Sequence, residues 1–367
     1  MNGFKAQVTI NLGERSYPVY IAPGLTRMVG YMIKDRLPKA GSCNVVTSQN
    51  ISDLHGASLM DSLNAAGIKA GLTMVPDGED AKTWASAEAL IGEMLDHGMD
   101  RNSFVVAFGG GTVGDLAGFA ASIYMRGIPL IQVPTTLLAM VDSGIGGKTA
   151  VNHTRGKNLI GAFHQPSMVV SDINLLSSLP RREMLNGLGE IVKHSVIADC
   201  NLFNHLEENS SRLVDFNSDL MADIVARNVA IKAGYVEKDE RDSTGIRAVL
   251  NYGHTTGHAL ENLSKQKIKH GEAVALGMCV ASRLSVNMGL MREEDQKRQL
   301  RLLTDIGFNL DPPHIDSARI MEAMGHDKKA EAGVIRFVLP TGIGSSPVLR
   351  GVSEEDILVA LEAEGYG

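Results

Sequence analysis

The sequence of 367 residues is poor in cysteine, has no excess of positive charge and contains no apolar run long enough to span a bilayer. Its 35 Lys and Arg residues are outnumbered by 42 Asp and Glu residues, which argues against nucleic-acid binding because that needs clustered positive charge. The N-terminus alternates like a strand and lacks the apolar core of a signal peptide. Cys43, Cys200 and Cys279 show no paired spacing, which is typical of a reducing compartment. We therefore expect a cytoplasmic protein with no nucleic-acid or membrane partner.

The pattern of apolar residues changes near Pro180, and the chain is longer than one hydrophobic core usually supports. Before Pro180, short segments rich in Val, Ile and Met alternate with helix-like stretches, which predicts a parallel α/β sheet. The predicted strands are residues 43–48, 72–76, 103–111, 129–134 and 167–172. Helical patterns then dominate residues 181–197, 220–238 and 271–289. The sequence thus predicts a Rossmann-like α/β domain over residues 1–179 and an all-α domain over residues 180–367.

Two histidines stand four positions apart in the segment NYGHTTGHALE. His254 and His258 would share one face of a helix, because side chains at i and i+4 stack along its axis. They could be two metal ligands, one ligand and one catalytic partner, or two surface imidazoles. The zinc-protease motif HEXXH does not fit, since Thr255 stands where that motif has Glu. The spacing alone leaves the three alternatives open.

Three consecutive glycines, Gly109, Gly110 and Gly111, lie between a predicted strand and a helix that contains Asp115. Glycines at such a turn let backbone N–H groups approach a phosphate, and the helix N-terminus adds partial positive charge. The segment is not the G-x-G-x-x-G fingerprint, and a tight turn that needs positive φ is the structural alternative. The run of glycines with a following aspartate favours the pyrophosphate of a dinucleotide.

Residues 134–166 carry many polar groups among glycines and apolar residues. Lysines beside Gly and Asn suit a phosphate or a carboxylate. The pattern predicts loops that close round a ligand, and a solvated loop is the alternative. The polar residues are Thr135, Thr136, Asp142, Lys148, Asn152, Lys157 and Asn158.

Motifs along essentially the whole chain resemble the 3-dehydroquinate synthase family, within the sugar-phosphate cyclases. They are PDGEDAKTW, GGGTVGDLAGFAASIYMRG, VPTTLLAMVDSGIGGKTAVN, GKNLIGAFHQP, GLGEIVKH, LNYGHTTGHALE, KHGEAVALGM and GHDKKAEAG. No single motif is specific, but the set is. The resemblance implies a dehydroquinate synthase-like fold with an NAD-binding N-terminal domain, a helical metal-binding C-terminal domain and a homodimer.

The resemblance also implies a role for individual residues of this chain. The implied metal ligands are Glu190, His254 and His270, which leave an open coordination position for zinc or cobalt. The implied cofactor-binding residues are Asn50, Glu79, Lys82, Gly110, Gly111, Thr112, Val113, Asp115, Thr135, Thr136, Asp142, Lys148 and Lys157. The implied substrate-binding and catalytic residues are Arg126, Lys148, Asn158, Lys193, Lys232, Arg247, Asn251, His258, Lys328 and Lys329.

The implied substrate is a small sugar-acid phosphate, 3-deoxy-D-arabino-heptulosonate 7-phosphate, and the product is 3-dehydroquinate of the shikimate pathway. The family oxidises one hydroxyl with NAD, eliminates phosphate, returns the hydride, opens the ring and closes a carbocycle. Zinc would lower the pKa of the hydroxyl that is oxidised. Arg and Lys would hold the two anionic ends of the substrate. Because the hydride returns, no net oxidation takes place.

Two departures from the family pattern concern specific contacts. Ser48 stands where many members have an acid for the adenosine ribose, and Asn50 is expected to supply part of that contact. The acid usually found before Arg247 has no clear counterpart, and either Asp242 fills its role or the role is missing. Alternatives to the implied activity are a sister cyclase that acts on another sugar phosphate, a metal-dependent NAD alcohol dehydrogenase and an inactive NAD-binding protein.

Overall fold

The computed structural model describes residues 6–265, 267–325 and 334–367. The strands in these ranges are β1 (Ala6–Ile10), β2 (Tyr17–Ala22), β3 (Ser42–Ser48), β4 (Lys69–Val75), β5 (Phe104–Gly109), β6 (Leu130–Pro134), β7 (Lys148–His153), β8 (Gly156–Phe163), β9 (Met168–Asp172), β10 (Ile335–Leu339) and β11 (Val348–Val352). The helices are α1 (Val29–Arg36), α2 (Gln49–Ile51), α3 (Ala57–Ala65), α4 (Trp84–Asp96), α5 (Gly111–Ile123), α6 (Arg181–Ala198), α7 (Cys200–Glu208), α8 (Ser218–Lys238), α9 (His254–Leu263), α10 (His270–Asn287), α11 (Glu293–Ile306), α12 (Ser317–Gly325) and α13 (Glu354–Ala363).

Two compact units divide the chain. The first contains residues 1–179 and 218–241, and the second contains residues 180–217 and 242–367. Helix α8 therefore packs with the first unit, where it contacts β1, although it follows Pro180 in the chain. The division of function at residue 179 stays a prediction.

A seven-stranded sheet forms the centre of the first unit, in the order β1-β2-β9-β6-β5-β3-β4. All neighbouring pairs are parallel except β1 with β2. The parallel α/β prediction is confirmed, and the five predicted strands correspond to β3, β4, β5, β6 and β9. Strands β5, β6 and β9 are buried along their whole length, as expected for strands covered on both faces. The edge strand β4 alternates between exposed and buried residues near its end.

An antiparallel hairpin of β7 and β8 occupies much of the segment that was expected to be loop. The prediction of loops throughout residues 134–166 is therefore wrong for residues 148–163. The glycines there allow close contacts between strands: a Cβ on Gly161 would lie 2.3 Å from the carbonyl oxygen of Thr149. Strand β7 also packs on α5, where a Cβ on Gly118 would lie 2.4 Å from Thr149 Cγ2.

The second unit is largely helical, which agrees with the predicted helical domain. It also contains the two-stranded hairpin of β10 and β11, which the all-α prediction did not include. The apolar alternation of this hairpin is short and lies next to residues 326–333, which the structure does not describe. No helix in the described ranges is both long and apolar enough to cross a membrane.

Glycines let three helices of the second unit approach one another closely. A Cβ on Gly277 of α10 would lie 1.9 Å from the Gly253 carbonyl oxygen, immediately before α9. A Cβ on Gly271 would lie 2.2 Å from the Asn186 carbonyl oxygen of α6. Real Cβ atoms do not tolerate such distances to backbone atoms, so only glycine fits at these positions. The close packing fixes the spacing of α6, α9 and α10.

Gly277→Ala should therefore destabilise the second unit. Alanine favours a helix over glycine by about 1 kcal/mol, but overpacking against the Gly253 backbone costs about 1–3 kcal/mol or more. Urea unfolding followed by circular dichroism measures the change. The matched control is Gly92→Ala in α4, where no atom lies within 4 Å of the added Cβ and stability should rise. Equal stability of the two variants would contradict the close-packing argument.

Candidate functional site

Three side chains from three helices of the second unit converge on one point. Glu190 lies in α6, His254 begins α9 and His270 begins α10. One potential ligand atom from each lies within 4.8 Å of the others. Oε1 of Glu190 is 3.6 Å from His254 Nε2 and 3.3 Å from His270 Nε2. One carboxylate and two imidazoles form the donor set of an open catalytic zinc site.

Glu190 is completely buried, and its two carboxylate oxygens have different surroundings. Oε2 is paired with the ammonium group of Lys193, one helical turn further along α6. Oε1 has no hydrogen-bond partner among the described residues. Burial raises the pKa of Glu190, but Lys193 and the two imidazoles outweigh it, so the pKa lies below its ordinary value. An ionised, buried oxygen without a hydrogen bond is costly unless a cation binds it, so the site fits a metal ion.

The tautomers of both histidines suit metal binding. His254 Nδ1 is 3.1 Å from the Tyr252 carbonyl oxygen, which can only accept, so Nδ1 carries the proton. His270 Nδ1 is likewise 3.1 Å from the Glu261 carboxylate. Each Nε2 therefore lies on the side of Glu190, where a metal ion could bind it. A carbonyl or carboxylate behind the imidazole is the usual arrangement around metal-binding histidines.

Electrostatics act differently on the two imidazoles. Burial lowers the pKa of His254, and this keeps its ring neutral and able to donate a lone pair. Burial also lowers the pKa of His270, but Glu190 and Glu261 outweigh it and raise the pKa to about 10. The position beside His270 Nε2 therefore attracts positive charge strongly. A metal ion would compete with a proton for this position.

His258 lies one turn along α9 from His254, and the two rings meet edge to face with centroids 5.2 Å apart. A second cluster of potential ligands contains His258, Glu261 and His270. It shares His270 with the first cluster, but Glu261 there contacts Nδ1, the nitrogen opposite to the one that faces Glu190. The buried Glu190 oxygen favours the first cluster. The assignment of His254 as ligand and His258 as catalytic partner stays a prediction that this arrangement supports.

Glu261 belongs to the candidate site through its contact with His270, although the sequence did not point to it. It follows His254 by seven positions, so both lie on the same face of α9. That spacing within a helix was the available signal, but the contact is with His270, which lies in another helix. Only the packing of α9 on α10 shows it.

The glycine-rich turn at the end of β5 allows its backbone to pack closely against neighbouring side chains. Gly109, Gly110 and Gly111 do not have positive φ, so the alternative of a left-handed tight turn is wrong. A Cβ on Gly111 would lie 2.7 Å from Ser143 Oγ, and one on Gly110 would lie 3.2 Å from Thr136 Cγ2. Helix α5 begins here without a side-chain cap. Its first N–H groups form an anion-binding arrangement suited to a pyrophosphate.

A hydrogen-bond network links the predicted cofactor residues beside this turn. Thr112 Oγ1 donates to Glu79 Oε2 over 3.4 Å, and Asn152 Nδ2 donates to Glu79 Oε1 over 2.7 Å. The buried Lys82 ammonium pairs with Asp115 at 2.5 Å and also donates to the Asn158 side chain. The side chains of this network thus fix one another's positions through hydrogen bonds and an ion pair.

Burial shifts the pKa of Asp115. It raises the pKa, the neighbouring Lys82 opposes the shift, and the pKa settles at about 6. Glu79 and Asp142 add smaller contributions that also raise it. The carboxyl therefore changes charge close to physiological pH. A change of protonation there alters the charge next to the glycine-rich turn.

The remaining predicted residues of the first unit have varied surroundings. Thr135 begins the loop after β6, and its buried hydroxyl has no partner among the described residues, whereas Thr136 Oγ1 accepts from the Ala139 amide. Lys232 of α8 is buried and pairs with Asp142. Arg126 is exposed with φ of 73°, part of a turn between α5 and β6. The other members are Val113, buried in α5, and the exposed Asn50, Lys148 and Lys157.

The other predicted substrate and catalytic residues belong to the second unit. Arg247 is buried in a 3-10 helix, Ile246–Asn251, which ends at Asn251 shortly before α9. Lys328 and Lys329 lie outside the described residues. Asp242, the candidate for the displaced acid, has φ of 51°, which marks an irregular backbone at that point. Its role stays a prediction.

Ser48 ends β3, and its buried hydroxyl has no hydrogen-bond partner in the described part of the chain. Strand β3 is the neighbour of β5, so Ser48 lies at the same sheet edge as the glycine-rich turn. The expected loss of one cofactor contact at this position stays a prediction.

Comparison with known proteins assigns both halves of the chain to one family. The family model "3-dehydroquinate synthase N-terminal" matches residues 72–186, and "3-dehydroquinate synthase C-terminal" matches residues 187–330. A 3-dehydroquinate synthase from Desulforamulus reducens is 45% identical over 356 residues. The match covers 96% of this chain and 99% of that relative.

Solved structures of two sugar-phosphate cyclases have the same fold. A 2-deoxy-scyllo-inosose synthase, complexed with carbaglucose-6-phosphate, NAD+ and Co2+, superposes with a TM-score of 0.90 at 27% identity and covers 98% of this chain and 100% of its own. The 2-epi-5-epi-valiolone synthase of Streptomyces hygroscopicus, with NAD+ and Zn2+ bound, gives 0.87 at 28% identity, with coverages of 96% and 98%. Both similarities extend over nearly the whole chain.

Glu261→Gln should weaken zinc binding about 10- to 100-fold, because the carboxylate that orients His270 is replaced by an amide. Competition with a chromophoric chelator measures the affinity. Glu355→Gln, at an exposed position of α13 in the same unit, is the matched control and should bind zinc as the parent chain does. Unchanged affinity in Glu261→Gln would contradict the orienting role.

The Asp115 carboxyl should titrate near pH 6, and Lys82→Met should move this midpoint upward because burial is then unopposed. The folded pKa lies above the ordinary 3.8, so the proton binds more tightly in the folded chain. The stability from this group is complete below about pH 4 and is lost as the pH rises through about 6. Carboxyl NMR of selectively labelled protein measures the midpoint. Lys69→Met is the control, and a midpoint near 4 in the parent chain would contradict the assignment.

Proposed function

The chain belongs to the 3-dehydroquinate synthase family, and we propose that it converts 3-deoxy-D-arabino-heptulosonate 7-phosphate into 3-dehydroquinate and inorganic phosphate. The observation that carries this proposal is the buried cluster of Glu190, His254 and His270 in a chain with a full-length relative of that activity. The enzyme is then a carbon–oxygen lyase that uses NAD and a divalent metal. Zinc and cobalt both suit the one-carboxylate, two-imidazole donor set.

The second unit would hold the metal through Glu190, His254 and His270. When bound, zinc or cobalt lowers the pKa of a coordinated hydroxyl, and NAD accepts and later returns a hydride. Lys193 keeps Glu190 ionised by pairing with Oε2, which leaves Oε1 for the metal. Glu261 holds the proton of His270 on Nδ1, so that Nε2 stays available.

The first unit would hold NAD. The N-terminus of α5, with Gly110 and Gly111, accepts the pyrophosphate because its N–H groups are uncapped and no Cβ obstructs them. Glu79 and Lys82 lie beside this turn, bonded to Thr112 and Asp115, and these four residues would contact the cofactor. The loop after β6, with Thr135 and Thr136, completes this side of the site.

Cationic side chains would bind the two anionic ends of the substrate. Arg247 is buried, and its planar guanidinium suits the geometry of a carboxylate or a phosphate. Further contacts are proposed from Arg126, Lys148, Asn158, Lys193, Lys232, Asn251 and the pair Lys328 and Lys329. His258 would move protons, since the imidazole side chain is the one whose ordinary pKa suits acid–base chemistry near neutral pH.

A sister cyclase activity is the alternative from the same fold. The solved structures that match are sister cyclases at 27% and 28% identity, whereas the Desulforamulus reducens relative is 45% identical. The higher identity over nearly full length favours the heptulosonate substrate. An alcohol dehydrogenase activity is not favoured, because the family matches cover residues 72–330.

One assay tests the proposed activity. The protein is incubated with the heptulosonate phosphate, NAD and zinc, and both inorganic phosphate and the absorbance of reduced nicotinamide are followed. We expect phosphate release without accumulation of reduced cofactor, because the hydride returns to the substrate. Accumulating NADH would instead indicate a dehydrogenase, and absence of phosphate release would overturn the proposal. Heptulose 7-phosphate and glucose 6-phosphate serve as alternative substrates.

Substitution of His270 and of His258 should separate metal binding from catalysis. His270→Ala should lose bound zinc, since one of the three ligands disappears. His258→Ala should keep zinc and lower kcat by about 10²–10⁴-fold, the usual contribution of an acid–base group. Metal analysis and steady-state kinetics measure the two effects, with the exposed His153→Ala as control. Loss of zinc from His258→Ala would show that the ligand assignment is wrong.

We also propose that the enzyme acts as a cytoplasmic homodimer. The three cysteines are free thiols, with Cys43 and Cys279 buried, which suits a reducing compartment. The homodimer follows from the family resemblance. Light scattering on the purified protein tests it, and a monomeric mass would exclude it.

A further inference from the structure

The hairpin of β7 and β8 contains an irregularity at Asn152. Regular pairing runs from Lys148 with Phe163 to Val151 with Ile160, and then resumes with His153 opposite Gly156. Asn152 therefore faces the three residues 157–159 of the other strand. Asn158, in the middle of them, has φ of 57°, which asparagine tolerates better than most residues. Such bulges often re-aim side chains beside functional sites.

The amide side chain of Asn152 closes this bulge. Its Oδ1 accepts from the Asn158 backbone N–H over 2.9 Å and so replaces a missing hydrogen bond of the strand ladder. Its Nδ2 donates to Glu79 Oε1 over 2.7 Å. The amide orientation is unambiguous, because a backbone N–H only donates and a carboxylate only accepts. Both ends of one small side chain are thus committed.

The backbone of Asn152 makes a third connection. Its N–H donates to the Lys82 carbonyl oxygen over 2.7 Å, and Thr83 forms an isolated parallel bridge with Asn152. Lys82 in turn contacts the Asn158 side chain, so the bulge and the Glu79–Lys82 segment are joined on two sides. Among the contacts of the described chain, the Asn152 side chain bonds both the bulge and Glu79.

We infer that Asn152 is a positioning residue of the cofactor site, which sets Glu79 in the conformation that NAD requires and holds the neighbouring Asn158 in place. This inference rests on the proposed function, because it takes Glu79 and Lys82 as cofactor contacts and Asn158 as a substrate contact beside them. Asn152 acts through these neighbours. A left-handed backbone at Asn158 is costly, and the hydrogen bond that its N–H donates to Asn152 offsets part of that cost.

Asn152→Asp is the sharpest test, because it keeps the acceptor for Asn158 and removes only the donor to Glu79. Two carboxylates then face each other, and Glu79 is displaced. We expect the dissociation constant of NAD from calorimetry, and KM for NAD, to rise about tenfold or more. Zinc content and kcat at saturating NAD should stay close to the parent values. Asn64→Asp, on the exposed surface of α3, is the matched control and should change neither constant.

A double variant separates positioning from general damage. In a Glu79→Gln background the repulsion is absent, because a glutamine amide can donate to the carboxylate that Asn152→Asp introduces. There Asn152→Asp should weaken NAD binding much less than it does in the parent chain. An equal loss in both backgrounds, or unchanged NAD binding in Asn152→Asp, would overturn the inference. The double variant also remains informative if Asn152→Asp alone folds poorly.

The parent chain distinguishes this inference from the proposed function. If the parent chain itself does not bind NAD, the proposed function fails first. If the parent binds NAD and Asn152→Asp binds it equally well, only the positioning role of Asn152 fails.

Discussion

The arrangement of side chains at the candidate metal site of the second unit depends on the cost of burying the ionised carboxylate of Glu190. Glu190 is fully buried, and Lys193 neutralises one of its oxygens while the other faces two imidazole nitrogens. That second oxygen has no hydrogen bond within the described chain, so a cation is its natural partner. The carbonyl behind His254 and the carboxylate behind His270 hold both rings with Nε2 on that side. A buried carboxylate between two imidazoles is costly as a purely structural feature, but the same arrangement suits a metal-binding site.

The convergence of these side chains also requires close helix packing in this unit. Three side chains from α6, α9 and α10 reach one point only if the helices approach closely, and glycines at Gly253, Gly271 and Gly277 permit this. Each glycine faces backbone atoms, which cannot move aside without displacing a helix. The glycines of the HGE and NYGH segments therefore support the candidate metal site by the spacing of the helices that carry its side chains.

The first unit meets a different constraint, which is to pack backbone closely at the glycine-rich turn while holding charged side chains beside it. The glycines at the end of β5 allow close contact with Thr136 and Ser143, and Asn152 joins the neighbouring segments through both ends of its amide. Lys82 and Asp115 balance each other at a buried position, so that neither charge is left alone. The pKa of Asp115 stays raised because burial raises it by more than the charge of Lys82 lowers it.

Much of the fold could be predicted from the sequence, because apolar periodicity depends on local spacing. The strands β3, β5, β6 and β9 and the long helices α6, α8 and α10 each carry a pattern that covers most of their length. The hairpin of β7 and β8 could not be predicted in this way. Its glycines resemble those of a loop until their contacts with Thr149 and the facing strand are known.

The sequence by itself determined the family and the types of residue available for metal, cofactor and substrate, because both can be identified from short contiguous motifs. Only the tertiary structure decided which atoms meet. It put Glu261 behind His270, turned both Nε2 atoms toward Glu190, and joined Asn152 to Glu79. Such contacts link residues far apart in the chain or in different helices, and their geometry depends on how closely the backbones pack. No spacing along the sequence encodes that distance.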